Sequence, residues 1–73
     1  MKPTCVIVDG PFPEQDRHGD EFPTWTVFRA DDNSDEVESP VTCFSYETAI
    51  SLAEQIHQRS GGRLELVIEA SRA

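Results

Sequence analysis

Basic side chains are scarce in this 73-residue chain: six Lys and Arg stand against fourteen Asp and Glu, a formal net charge of −8. Phosphate backbones are gripped through several Lys or Arg contacts, so this balance speaks against DNA, RNA and anionic membranes as partners. If the chain has a protein partner, a basic surface is favoured. Long apolar runs are lacking too. The amino terminus offers only Cys5 to Val8, too short for a signal-peptide core and far short of a membrane span, and the expected location is cytoplasmic. The two cysteines, Cys5 and Cys43, form no CxxC pair and are expected as reduced thiols in an unexported chain. A Gly-rich phosphate loop, a nucleophile elbow and an HExxH pattern are all absent. No catalytic residue, cofactor or metal ligand is therefore assigned, and enzymatic activity is not expected. A chain this short forms one domain with a net stability of a few kcal/mol.

The clearest positive signal runs from Phe44 to Ala70. At about 100° per residue, Tyr46, Ala49, Ile50, Ala53 and Ile56 share one stripe, while Glu47, Ser51, Glu54, Gln55 and Gln58 take the other side. Ser45 is a good N-cap, Glu47 complements the positive helix end, and Phe44 is placed to staple onto Ala49. Arg59 and Gly61-Gly62 mark the stop, because glycine reaches the left-handed backbone without a Cβ clash. The spacing thus predicts one helix over about 45–60. Leu64, Leu66, Ile68 and Ala70 then alternate with Glu65, Val67 and Glu69, the period of a strand with one face in the core.

Upstream, Cys5 to Val8 suits a strand, and Thr24 to Ala30, rich in aromatic and β-branched residues, suits a second. Between them, DGPFPEQDRHGDEFP has three prolines and no periodicity, so residues 9–23 read as a long loop. The acidic stretch 31–39 reads as a solvated turn, and Val41 to Phe44 as a short third strand. The order is β-β-β-α-β, which predicts an α+β fold: a three- to four-stranded, mainly antiparallel sheet with one helix on one face.

Two polar clusters invite a metal reading. Asp16, His18 and Asp20 alternate, but no second His or Cys stands at ligand spacing. Asp31, Asn33 and Asp35 copy the first ligands of a calcium loop, yet Glu36 and Thr42 occupy the positions that need Gly and Glu. Both read as solvated polar turns. His57, at the margin of the apolar stripe, faces no identifiable partner and reads as a structural histidine. Candidate interaction residues are Phe12 and Phe22 in the 9–23 loop, and Trp25 and Arg29, which share one face of the second strand. Trp25 in the core with Arg29 reaching out at the edge is the competing placement.

Trp25 and Val27, Phe44 with Ala49, Ala53 and Ile56, and Gly61-Gly62 before Leu64 to Ile68 resemble small bacterial proteins with a strand-strand-helix-strand core and no assigned activity. The 9–23 loop departs from their tight first hairpin. The topology is also similar to HicB-type antitoxins, acidic proteins that cover a basic toxin, although Thr42-Cys43-Phe44-Ser45 stands where they carry a glycine-containing turn. These observations favour a non-enzymatic protein-interaction or accessory domain, as monomer or homodimer. An acidic inhibitor of a basic partner is one alternative, and a small-ligand or metal binder using the 9–23 loop is another. Because several strands are apolar on both sides and one helix covers a single face, a cover is also expected for the second face: the loop through Phe12 and Phe22, or a second copy.

Overall fold

The computed structural model of the protein describes residues 2–33 and 35–72. In chain order it forms β1 (Cys5–Gln15), β2 (Glu21–Ala30), β3 (Val41–Cys43), α1 (Tyr46–Arg59) and β4 (Glu65–Ile68). The strands make one mixed sheet in the order β3-β2-β1-β4. β1 pairs antiparallel with β2, and β2 with β3, whereas β1 and β4 run parallel. β3 and β4 thus point the same way at opposite edges, and the chain between them must cross the whole sheet. Helix α1 makes that crossing, which commits it to one face.

Local chemistry sets the helix ends. The Ser45 hydroxyl accepts the Thr48 N–H at 3.0 Å, and Gly61 and Gly62 take φ of 70° and 82° after the last turn. Ala49 and Ala53, one turn apart and fully buried, let the helix lie close on Val6, Val8, Trp25, Val27 and Cys43. Tyr46, Ile50, Leu52 and Ile56 border that contact, together with Leu66 from β4. The expected staple is not made. Phe44 is 71% exposed, and its ring stands 6.1 Å from that of Phe22 on the far side of the sheet.

The segment 9–23 corrects the loop expectation. Most of it is strand: β1 and β2 continue as a two-stranded arm out to Gln15 and Glu21, closed by a turn over 16–20. Residues 11–20 are all exposed, so no apolar alternation is required of them and none is written in the sequence. The prolines fit because Pro13 stands opposite Pro23, where neither residue has an N–H to lose. A register shift between Asp9 and Phe12 marks the root of the arm. There Gly10 has φ of 131°, and a Cβ at this position would come within 2.9 Å of the Thr24 carbonyl oxygen and of the Trp25 ring.

The acidic turn behaves as a turn, with the Asp31 carboxylate accepting the N–H groups of Asn33 and Asp35 at 2.9 and 3.1 Å. Position 34 within it lies outside the described residues.

Candidate interaction face

Alternation along each strand sorts the side chains onto two faces. Val6, Val8, Trp25, Val27, Cys43 and Leu66 point to α1. Cross-strand pairing puts Ile7 between Phe28 and Val67 on the other face, with Cys5 beside Ala30 at one end. At the opposite end of that face, where the arm leaves the body, Phe12 pairs with Thr24 and Phe22 with Glu14. Phe22 and Phe44 meet there. Among the described residues no helix or loop crosses this face. The arm prolongs the sheet instead of folding back over it, so the loop-cover expectation is not met. Ile7 is nevertheless buried, at 4% exposure, by its own cross-strand neighbours, while Phe12 and Phe44 remain open at 41% and 71%.

The charges on this face have one sign. Asp9 opposite Thr26, Glu14 opposite Phe22, Glu65 opposite Cys5, and Glu69 by continuation of β4 lie on or beside it. No Lys or Arg of β1, β2, β3 or β4 points the same way, since Arg29 pairs with Val6 on the helix side. The face is therefore an apolar surface, interrupted in its middle by Asp9 and Thr26, with acids along it. Phe12 and Phe22 also line a shallow cleft of about 290 Å³ on the arm, with Pro11, Pro13, Glu21 and Pro23.

The four candidate residues separate in space. Phe12 and Phe22 belong to the open face. Trp25 does not: it is 4% exposed in the core, edge-on to Tyr46 at 6.4 Å, and its Nε1–H donates to the Ser71 carbonyl at 2.9 Å. It is thereby withdrawn from any exposed interaction surface. Arg29 stays half-exposed and pairs with Glu38. Ile7, Phe28, Phe44 and Val67 were not among the candidates; the signal that marks them is strands whose two alternation phases are both apolar.

Of the other polar candidates, Asp16 and His57 make hydrogen bonds within the fold. In the turn closing the arm, the Asp16 carboxylate accepts the backbone N–H groups of His18 and Asp20 at 2.8 and 3.0 Å. The His57 Nδ1–H donates to the Leu64 carbonyl at 2.5 Å, tying α1 to the start of β4. No group of three or more His, Cys, Asp or Glu among the described residues is arranged to hold a metal ion. The cysteines are free and lie on opposite faces of the sheet, and burial pushes the Cys43 thiol pKa above 9.0. No helix of the described residues is long and apolar enough to cross a membrane. No protein-family model, curated protein or solved structure matches the chain.

Proposed function

We propose that this chain is a non-catalytic protein-interaction domain that docks, through its open sheet face, onto an apolar surface edged by Lys and Arg of another cytoplasmic protein. The observation that carries the reading is the coincidence on one face of exposed aromatics, Phe12 and Phe44, with acids and no cations. Face-to-face pairing of two copies would bring together two faces that both carry acids, so a basic partner is favoured over a homodimer. The scattered placement of His18, His57 and the cysteines supports a non-catalytic role, because catalysis needs a constellation of groups and not isolated ones.

The test is cross-linking from the open face to a partner in cell lysate, in wild type and two variants. Phe12→Ser with Phe44→Ser removes the apolar part, and Glu65→Lys with Glu69→Lys inverts the charge. Both variants are expected to lose the cross-linked partner, and capture by wild type should weaken as salt is raised. A partner retained by both variants, or a wild-type dimer with the open face as its interface, contradicts the proposal.

A further inference from the structure

At the end of the sheet remote from the arm, a groove of about 720 Å³ opens between the amino-terminal segment, β2 and the end of α1. Its lining includes Lys2, Arg29, Arg59 and Arg63, four of the six Lys and Arg in the chain. Ile56 and Leu64 supply an apolar wall beside them. In a protein with fourteen acids, gathering most of the cations around one groove sets them against each other unless something negative joins them.

The helix end accounts for only part of this gathering. Arg59 complements the negative terminus of α1, and the Arg63 Nε–H donates to the Ser60 carbonyl at 3.0 Å. The carbonyls of Ile56, His57 and Gln58 are already taken by the N–H groups of Ser60, Gly62 and Gly61, so the last turn does not depend on the cations for hydrogen bonds. Lys2 and Arg29 come from other parts of the chain and have no such duty. A carboxylate already docks on one of the four, since Glu38 from the acidic turn pairs with Arg29. The other ion pair among the described residues, Arg72 with Glu47, lies elsewhere. Lys2, Arg59 and Arg63 thus have no carboxylate partner among the described residues.

We infer that this groove binds a small polyanion bearing two or more phosphate or carboxylate groups, with Lys2, Arg59 and Arg63 as its contacts and Arg29 as a fourth that Glu38 holds back. Guanidinium groups match either anion through paired N–H donors. Small size follows from screening. At physiological salt charges act over about 8 Å, so a compact anion in the groove feels chiefly its cations, whereas a nucleic-acid backbone would run on over acidic surface.

The experiment is an amide NMR titration of the full chain with inorganic pyrophosphate and, separately, with tricarballylate, a tricarboxylate. Saturable shifts at Arg59, Ser60, Arg63 and Leu64 are expected with at least one probe, and the probe that saturates identifies phosphate or carboxylate. Arg59→Gln with Arg63→Gln should weaken binding by about fivefold or more, with the circular dichroism of the fold retained. Glu38→Gln, which releases Arg29, should tighten it by about two- to fivefold. Shifts that stay linear with both probes, or an affinity unmoved by the double arginine variant, would overturn the inference. A Glu38→Gln protein that binds no tighter would strike Arg29 from the site.

Discussion

The two faces of the sheet are built from similar residues and meet opposite fates. On one, Val6, Val8 and Val27 are at most 1% exposed because α1 lies across them on Ala49 and Ala53. On the other, Ile7, Phe28 and Val67 hide only behind one another, and Phe12 and Phe44 stay open. The same apolar alternation therefore does two jobs. Beneath the helix it drives folding, and on the bare side it leaves surface that a partner can remove from water. Charge follows the same division, since Asp9, Glu14 and Glu65 lie on the bare face and Arg29, the one cation of the strands, lies on the other.

Substitution should separate the faces sharply. Ala53→Asp places an unpaired charge in a fully buried site, where the cost exceeds the few kcal/mol that hold so small a domain together. The variant is expected to lack the near-ultraviolet signal of packed Trp25. A cooperative melt near that of wild type would mean that the helix does not seat on the sheet through this residue.

At the root of the arm, Gly10→Ala is expected to cost about 1–3 kcal/mol, combining a positive φ with the close approach of Thr24 and Trp25. Denaturant unfolding measures it directly. An unchanged midpoint would show that arm and body are joined by a different backbone path.

The covered face should also register pH through Cys43. Burial disfavours its thiolate, so the folded thiol keeps a proton that the unfolded one releases near 9.0. The resulting stability is intact below that pH and is lost as pH rises toward the higher folded value. Melting temperature is therefore expected to fall between pH 8 and 10 more steeply in wild type than in Cys43→Ala; parallel curves would place the thiol in contact with water. Least affected should be the bare side. Phe44→Ser is expected to change stability by no more than about 0.5 kcal/mol, because the ring is already largely exposed. A larger loss in thermal melting would reveal a cover over Phe44.

How far these faces can be read from the amino-acid order depends on what each residue must satisfy. The helix is written out in full, since Ser45, the Ala49–Ala53 spacing and Gly61-Gly62 each answer a local requirement. So are β-β-β-α-β and the apolar character of both sides of the strands. The arm is not, because a two-stranded ribbon bathed in water needs neither alternation nor a proline-free run, and Pro11, Pro13 and Pro23 disguise it as a loop. The parallel pairing of β1 with β4 is hidden for another reason: it is a contact between distant segments, settled by where α1 sets the chain down. Trp25 could be assigned to core or surface only once the helix was placed over one side of the sheet. The four cations of the groove are likewise scattered from Lys2 to Arg63 and meet only in the fold.

One sheet face is covered by α1 and the other is not, and side-chain NMR in the presence of a soluble paramagnetic agent reads that difference residue by residue. Strong attenuation is predicted for Phe12 and Phe44 and intermediate attenuation for the half-buried Phe28 and Val67, with Val6, Val8, Val27, Ala49 and Ala53 nearly untouched. Equal protection of Phe28, Phe44 and Val67 with the core valines in the free protein would contradict it, because a second copy or the arm would then already occupy the face assigned to a partner.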